Sequence, residues 1–549
     1  MKECKKCNTQ FEVTSKDRRF YEMMDAPEPT LCSSCREQRR LSYRNESFLY
    51  HRKCDLTGEE MISNYSVDKP FPVYSMDAWW SDRYDPLKFS HDFDFNRPFF
   101  EQFFELRNSV PRLTLIQQEP MINSEYCNTA GHNKNCYLCF SASENEDCYY
   151  SSWINYCRNC VDCKNINKSE LCYECIDCRD CFGLKYSQNC SNCKTSYFLK
   201  NCQGCKDCFG CSNLINKQYY IFNKPCSKQA YDKFFEGVDT GSYKIIEKIK
   251  EKIDEELNDL IVKEYEGTNN QNSLGNYLRN NKNAYMCFEC EDCEDIRYAV
   301  ALTNAKNSMD HNHWGGGTEN VYETQACGYN CANIRFCNLC CSSSSDLTYC
   351  DHCFFSKDCF GCVGLKRNKY CIFNKQYSKE EYEKLMLRII EHMKSTNEWG
   401  EFFPANQAPY AYNETLAYEE YPLKKEEVLK RGWKWIDEKE ELKQGDSEYK
   451  IPDNIKDVDD EILDKVLKST KSGKLYKIIA QELKFYRENN IPIPRIVFRE
   501  RHLDRLAKRN PRHLWDRKCD KCQSAIKTTY SPERQEKVYC EQCYLKEVY

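Results

Sequence analysis

The sequence has no uninterrupted apolar run of the roughly 20 residues that a membrane-spanning helix requires. Its first ten residues, MKECKKCNTQ, also lack the apolar core of a secretory signal peptide. We therefore expect a cytoplasmic protein without a membrane segment. At 549 residues, of which 30% are charged, the chain is long enough for several soluble domains.

Several enzyme signatures are missing as well. The sequence contains no P-loop, no dinucleotide-binding glycine pattern, no nucleophile elbow and no HExxH motif. The net charge of -5 and the pI of about 6.1 exclude a generally basic chain. Any contact with nucleic acid must therefore come from local basic patches.

Cysteine is the residue in excess. The chain has 40 cysteines, and in a reducing cytoplasm such thiols are interpreted first as metal ligands rather than as disulfides. Between Cys127 and Cys226 there are 18 cysteines, and each leaves remainder 1 when its number is divided by three. Up to Leu214 the other positions of this phase carry small or aliphatic uncharged residues, whereas charged and aromatic residues occupy the other two phases.

A strict period of three fits neither an α-helix, with 3.6 residues per turn, nor a flat strand, with two. It indicates a β-solenoid whose coils are a multiple of three residues long and whose interior is narrow. Cysteines twelve residues apart, such as Cys160 and Cys172, favour twelve residues per coil, with fifteen or eighteen where loops intrude. Residues 208–231 match 359–382 at a constant offset of 151, which predicts a second, duplicated module.

We predict a mainly β fold with helical covers, in which two short cysteine-cored β-solenoid modules are flanked by duplicated ends of zinc-ribbon or treble-clef type. Helical covers are expected after each module, because Ser242 and Ser378 precede segments with an apolar stripe at helical spacing. The predicted order is a zinc-binding end at 1–80, a connecting helix and loop at 81–125, solenoid module 1 at 126–225, a helical cover at 226–280, solenoid module 2 at 281–375, a helical or irregular linker at 376–465, and a second zinc-binding end at 466–549.

Pairs of C-x-x-C motifs at the two ends carry the strongest site signal. Four thiolates in two such knuckles are typical of a closed structural zinc site. We therefore predict two structural zinc ions, one at each end of the chain. The predicted ligands are Cys4, Cys7, Cys32 and Cys35 at one end, and Cys519, Cys522, Cys540 and Cys543 at the other.

The two ends align without a gap when 465 is added to each residue number, so that residues 52–75 fall on 517–540. Each copy has two finger-like units, but only one unit in each copy has four cysteines: the first unit at the N-terminal end and the second unit at the C-terminal end. In the first copy the second unit retains only Cys54, which we expect to bind no zinc.

Each end also has an arginine-rich segment beside its cysteines. Its arginines recur every four residues, which places them on one face of a helix. Such a stripe beside a zinc finger is suited to phosphate groups, so RNA or a ribonucleoprotein is an expected partner. A solvated face or internal salt bridges are the alternatives. The arginines are Arg36, Arg40, Arg44, Arg501, Arg505 and Arg509.

The solenoid thiols have more than one interpretation. Two stacked C-x-x-C pairs would bring four sulfurs together, which suits zinc or an iron–sulfur cluster. Free thiols that pack a narrow core are an equally good explanation, because cysteine behaves as a small hydrophobic residue. Disulfides between coils come third. The candidate metal sets are Cys160, Cys163, Cys172 and Cys175, and Cys178, Cys181, Cys190 and Cys193.

An unusual polar cluster lies in the segment MDHNHWGGGTEN, where the period of three slips. Its His311 and His313 suit a metal or acid–base site, although glycines at a bulge of the coil also explain it. Glycan-cleaving carboxylates occur in solenoid grooves, which makes a groove enzyme an alternative. The candidate carboxylates are Asp310, Glu319 and Glu323.

Several blocks resemble a family of cysteine-rich repeat proteins common in ultrasmall candidate-phylum bacteria. The likeness covers nearly the whole chain and rests on the knuckles and CREQRR near the start, on WWSDRYDP and FDFNRPFFEQF, on CYEC, YYIFN and AYNETLA, and on the terminal VYCEQCYLKEVY. The ends also resemble small bacterial zinc-ribbon and treble-clef domains. The resemblance implies zinc at both ends and implies no activity.

Together these features predict a zinc-binding scaffold or interaction protein whose partner is RNA, a ribonucleoprotein or another protein. A thiol-rich metal store or redox sensor is the first alternative. A solenoid groove enzyme that acts on glycans is the second.

Overall fold

The structure is a computed structural model that describes residues 1–257, 260–437 and 449–548. It is mainly β, with β-solenoid coils, helices and one cysteine tetrad near each terminus. The chain forms two compact units. Unit 1 comprises 1–115, 265–436 and 511–515, and unit 2 comprises 116–264, 437–510 and 516–549.

The helices precede, follow or connect the solenoid segments. Within the described residues, none of them is long and apolar enough to cross a membrane. In chain order they are α1 Ser15–Met23, α2 Ser33–Leu41, α3 Met76–Trp80, α4 Phe99–Ser109, α5 Lys228–Glu236, α6 Tyr243–Leu257, α7 Lys379–Ser395, α8 Leu416–Glu420, α9 Lys425–Lys430, α10 Ala480–Glu488, α11 Phe498–Ala507 and α12 Glu541–Val548.

The solenoid of unit 2 confirms a coil of twelve residues. Ser152 pairs in parallel with Lys164, and Ile154 pairs with Ile166. Isolated bridges such as Tyr173 to Lys185 continue the same offset. The strands are Gln117–Gln118, Asn128–Gly131, Phe140–Ser143, Ser152–Asn155, Lys164–Asn167, Lys206–Phe209, Gln218–Ile221 and Lys224–Pro225.

Every third residue bends this coil. From Thr129 to Phe222, each residue whose number is a multiple of three has a positive φ, for example 48° at Asn159 and 55° at Asp162. The residue that follows, such as Cys160, points inward, and the next one, Val161, forms the bridge to the neighbouring coil. Four such triplets close a twelve-residue coil, which explains why both periods are present in the sequence.

The inward cysteines form the core of the unit 2 solenoid, where each is almost completely buried. The Cys160 thiol donates to the carbonyl oxygens of Arg158, at 3.2 Å, and Ser169, at 3.5 Å. Serine replaces cysteine at some inward positions and does the same, since the Ser169 hydroxyl donates to the Asn167 carbonyl oxygen at 2.9 Å. The row therefore accepts small side chains that bond to the backbone of the coil.

The solenoid of unit 1 has the same construction with one irregular section. Ser345 pairs with Lys357 at an offset of twelve, whereas Glu319 pairs with Ala332 at an offset of thirteen. These longer coils explain the slip in the period of three. The strands are Gly267–Thr268, Leu274–Asn276, Leu278–Arg279, Tyr285–Phe288, Glu294–Arg297, Val300–Gly328, Ala332–Arg335, Ser345–Thr348, Lys357–Phe360, Lys369–Ile372 and Lys375–Gln376.

Each solenoid ends in an antiparallel hairpin. Of the helices that follow, α6 and α7 begin at the predicted cap residues, Ser242 and Ser378. The Ser378 side chain accepts from the Glu381 amide and Glu381 bonds back to Ser378, which closes the capping box of α7. The Ser242 hydroxyl accepts from the Ile245 amide at 3.3 Å at the start of α6.

The terminal copies have matching elements at the predicted offset of 465. Helices α1 and α2 correspond to α10 and α11, and α3 corresponds to α12. In unit 1 the copy-1 strands are Lys2–Glu3, Gln10–Phe11, Tyr50–Lys53, Glu60–Ser63 and Val73–Tyr74, the last paired with Arg112–Leu113. The copy-2 strands are Leu467–Lys468, Leu475–Tyr476, Trp515–Lys518, Ala525–Thr528 and Lys537–Tyr539, the last paired with Ile261–Lys263.

The grouping of the segments differs from their order in the sequence. The first copy shares a unit with the solenoid that begins after residue 264, and most of the second copy shares a unit with the solenoid that begins at residue 116. Each end therefore packs on the solenoid that is remote from it in the chain. Sequence order alone gave no means of predicting this exchange.

We predict that Cys160→Phe lowers the free energy of unfolding by about 1–3 kcal/mol or more, because an aromatic ring overfills the narrow core. Cys160→Ser should change it by less than about 1.5 kcal/mol, since serine hydroxyls already bond to the coil at equivalent positions. Urea unfolding followed by circular dichroism measures both variants. Equal stability of the two variants would show that the interior is not narrow.

Candidate metal centres and the helix-docking ion pairs

The N-terminal tetrad joins a hairpin turn to the start of a helix. Cys4 and Cys7 lie in the turn between strands Lys2–Glu3 and Gln10–Phe11, and Cys32 and Cys35 lie at the start of α2. The four sulfur atoms all lie within 4.8 Å of one another, and the sulfurs of Cys7 and Cys32 are 3.7 Å apart.

The backbone positions both pairs of cysteines in this tetrad, one in a tight turn and the other at the start of a helix. The Asn8 amide donates to the Cys4 carbonyl oxygen at 2.9 Å, and Asn8 has a φ of 60°, so the turn wraps tightly around the thiols. The start of a helix favours negative charge. A hydrogen bond with Cys35 lowers the pKa of Cys32 to about 5, so a thiolate is favoured at this position.

The C-terminal tetrad repeats this arrangement. Its four sulfurs also lie within 4.8 Å of one another, and those of Cys522 and Cys540 are 3.8 Å apart. The turn is the same, since the Gln523 amide donates to the Cys519 carbonyl oxygen at 2.9 Å. Cys540 and Cys543 lie at the start of α12.

Both tetrads fit a tetrahedral thiolate-bound ion. Bonds of about 2.3 Å from zinc to sulfur place sulfurs about 3.8 Å apart at the corners of a tetrahedron. The Cys7–Cys32 and Cys522–Cys540 sulfur separations, 3.7 Å and 3.8 Å, agree with that edge length. The residues present are therefore able to hold a metal ion at each end.

In each terminal copy, the finger-like unit without four cysteines has other contacts at the positions that correspond to the tetrad. Ser469 and Glu500 occupy the places of Cys4 and Cys35, and the Ser469 hydroxyl donates to the Glu500 carboxylate. At the other such position Cys54 is buried and accepts from the Ser75 amide at 3.3 Å. Burial raises the Cys54 pKa, but hydrogen bonds from Thr57 and nearby amides outweigh it and lower the pKa to about 7.

The arginines of α2 face the solenoid of unit 1. Arg36 Nε lies 2.9 Å from Asp310 Oδ2, and Arg40 Nη1 lies 3.1 Å from Glu323 Oε1. These four side chains are at most 3% exposed. Arg39 joins them and bridges Glu323 and a further carboxylate, that of Glu401.

The arginines of α11 make the equivalent contact in unit 2. Arg501 Nε and Arg505 Nη1 each lie 3.0 Å from Asp162 Oδ1, and all three side chains are at most 5% exposed. Arg509 pairs with Asp177 at 3.0 Å. Each helix is thus clamped to carboxylates at the corners of solenoid coils.

These contacts correct the predicted role of the six arginines. Buried guanidinium groups that already bond to internal carboxylates are not available for phosphate groups. Five of the six bond to solenoid carboxylates and so dock their segments on the solenoids. The alternative of internal salt bridges describes them better. The residues concerned are Arg36, Arg40, Arg44, Arg501, Arg505 and Arg509, of which Arg44 pairs with Glu46 inside unit 1.

The carboxylates suggested for a groove enzyme do not form an accessible pair. Asp310 and Glu323 are buried in the arginine clamp, whereas Glu319 is exposed. His311 is buried, its Nε2 donates to the Cys327 carbonyl oxygen at 2.9 Å, and burial lowers its pKa to about 4. His313 is buried as well.

The solenoid cysteines do not gather into the predicted tetrads. Among the described residues, groups of three or more potential ligand atoms within 4.8 Å occur only at the two termini. Adjacent coils are about 4.8 Å apart, so two stacked sulfurs are already separated by about this distance. In a square of four such sulfurs, the two diagonal separations are longer than about 4.8 Å. The two sets concerned are Cys160, Cys163, Cys172 and Cys175, and Cys178, Cys181, Cys190 and Cys193.

Sequence reasoning missed the acidic half of the clamps, including Asp162 and Glu401. Asp162 lies at an ordinary corner position, where Asn and Asp are frequent because they tolerate a positive φ. The one available signal was the row of arginines on one helix face, because arginines that become buried need carboxylate partners. Comparison of the chain with protein-family models and with curated proteins found no match.

We predict that Asp162→Asn destabilises the protein by about 3–5 kcal/mol, because it leaves two buried guanidinium groups without their counter-charge. Asp180→Asn is the matched control, since Asp180 has the same left-handed φ but is exposed. The control should stay within about 0.5 kcal/mol of the parent. Urea unfolding tests the pair, and a small effect at both positions would contradict the clamp.

Proposed function

We propose that the protein is a scaffold whose terminal treble-clef-like fingers are held by structural zinc and fix helices on cysteine-cored solenoids. The observation that carries the proposal is the pair of four-sulfur clusters with tetrahedral spacing. Four thiolates without an open coordination position are typical of structural rather than catalytic zinc.

The metal site and the docking contact are neighbours on the same helix. Cys35 belongs to the tetrad, and the next residue, Arg36, holds Asp310 of the solenoid. An ion at the tetrad would therefore tie the hairpin to the start of α2 and so orient the arginines. At the equivalent place in unit 2, Glu500 takes a hydrogen bond from Ser469 and Arg501 holds Asp162.

The solenoid surfaces support a binding role. Stacked charges alternate along one exposed column, where Lys134 Nζ lies 2.6 Å from Glu146 Oε1 and Arg158 approaches the same carboxylate. Such a regular polar face suits a protein partner better than it suits a substrate. The buried acids give no support to the groove enzyme, and the buried arginines give none to RNA as the partner.

Zinc content provides the first check of the proposal. The parent should contain two zinc ions per chain by elemental mass spectrometry, one for each tetrad, and Cys35→Ser should lose one of them because a ligand is missing. Cys54→Ser is the matched control and should lose none. Iron with sulfide, or zinc that is unaffected by Cys35→Ser, would contradict the assignment.

Removal of the metal provides the second check. In the chelated protein, amide exchange in α2 should accelerate by at least about tenfold, because the helix start loses its link to the hairpin. Exchange in α11 should stay unchanged, since Ser469 and Glu500 close its counterpart without metal. Hydrogen-exchange mass spectrometry resolves both helices. Unchanged exchange in α2 would refute a structural role for the metal.

A further inference from the structure

The cysteines inside the unit 2 solenoid form one continuous body of sulfur. Seventeen cysteines between Cys127 and Cys211 belong to a single core cluster, and each is at most 3% exposed. Stacked members such as Cys160 and Cys172 are twelve residues apart, which sets their backbones about 4.8 Å apart. Neighbours along a coil are three residues apart. We call this cluster the sulfur column.

Contacts between thiols run both along the coils and between them. Cys178 shares the core cluster with Cys175 and Cys181, its neighbours three residues away along the chain, and with Cys190, twelve residues further on in the next coil. Cys190 and Cys202 have the same twelve-residue relation one coil further on. The column thus has sulfur neighbours in two directions, with no interruption by a charged side chain.

This geometry is unsuited to divalent ions in tetrahedral sites. A divalent ion with four thiolates would place two net negative charges in a dry core, which is strongly unfavourable. A monovalent ion needs only two sulfurs, one on each side, and soft thiolates select monovalent soft metals such as Cu(I). One such cation for each thiolate leaves the core neutral.

We propose that the sulfur column binds monovalent soft cations of the Cu(I) class, each bridged by two cysteine sulfurs. For each cation bound, one S–H bond breaks and its proton leaves to solvent, and two sulfur–metal bonds form, because each thiolate bridges two cations along the column. No electron is transferred when the cation is supplied in the +1 state. The thiol loses its weak hydrogen bonds to carbonyl oxygens, which the stronger metal–sulfur bond replaces.

One surface thiol lies at the end of the column. Among the cysteines outside the two tetrads, all within the described chain, Cys226 is the one that is not buried. The Asn223 amide donates to the Cys211 sulfur at 3.4 Å, and Cys226 donates to the Tyr219 carbonyl oxygen at 3.1 Å, in the hairpin that closes the same coil. Cys226 packs on the aromatic cluster that includes Phe209 and is the accessible thiol that follows Cys211 in the chain. We assign it as the point where a cation binds first, before it reaches Cys211.

The second solenoid offers an internal comparison. At the offset of 151, Cys226 corresponds to Tyr377, so this solenoid has no thiol at the equivalent surface position. Its buried cysteines also divide into separate core clusters, one that includes Cys287 and another that includes Cys350. Loading is therefore assigned to the solenoid of unit 2. This property is independent of the scaffold role of the terminal zinc sites.

The first test titrates the anaerobic, zinc-loaded full chain with Ag(I), which has the charge and softness of Cu(I) without its redox chemistry. Native mass spectrometry counts bound silver, a zinc-sensitive dye reports displaced zinc, and circular dichroism reports the fold. Silver should bind well beyond the number of zinc ions displaced, with the β signal retained. Uptake that matches zinc displacement, or that destroys the β signal, would overturn the proposal.

Variants locate the bound silver. The triple variant Cys172→Ser, Cys175→Ser and Cys178→Ser interrupts the column with a residue that the row already accepts, and its silver content should fall while its β signal persists. Cys226→Ser should slow uptake by about tenfold with nearly the same final content, because metal exchange depends on an accessible thiol. Cys54→Ser is the control for both. An unchanged silver content in the triple variant would show that silver binds elsewhere. If the triple variant does not fold, an unchanged rate of silver uptake in Cys226→Ser would by itself overturn the proposal.

Discussion

A residue in the left-handed backbone conformation at nearly every third position determines the cross-section of both solenoids. The cysteine core and the docking of the helices depend on it. Each such bend costs an ordinary residue about 1–2 kcal/mol of local conformational energy. Hydrogen bonds between coils stabilise it: the Asn159 amide donates to the Glu146 carbonyl oxygen at 3.0 Å, and this pattern recurs along the stack. With three residues per side, the interior is narrow, and its core cluster holds cysteine, alanine, isoleucine and leucine side chains, of which cysteine is the most frequent.

The same constraint explains how the ends are attached. A corner residue points outward from the coil at a fixed place, so Asp162 and Asp310 present carboxylates at defined positions. Helices α11 and α2 carry arginines at matching spacing and turn them toward these corners. Buried ion pairs contribute more to specificity than to net stability, since desolvation offsets much of their attraction. They select one docking position for each helix, and the tetrad at the start of α2 fixes the hairpin beside it.

Much of this architecture could be predicted from the sequence, because its causes are local and repeated. The inward phase of Cys160, the twelve-residue coil, the capping box of Ser378 and the knuckle ligands each follow from spacing alone. The partner of Arg36 could not be predicted, since nothing local distinguishes Asp310 from other corner acids. The grouping of each end with the remote solenoid was also beyond reach, because the two ends resemble each other in sequence and so do the two solenoids. Coordinates were needed to show that, among the described residues, the coil cysteines form no group of three or more sulfurs within 4.8 Å of one another.

Duplication adds a comparison within one chain. One copy keeps four cysteines where the other has Ser469 and Glu500, yet α2 and α11 dock in the same manner. A four-cysteine cluster able to hold a metal ion and a serine–glutamate hydrogen bond thus occupy equivalent places, each between a hairpin and the start of a helix. Zinc K-edge X-ray absorption on the anaerobically purified chain tests the assignment of structural zinc most directly. We expect four sulfur ligands at about 2.3 Å around every zinc ion. Oxygen or nitrogen ligands, or an open coordination position, would contradict it.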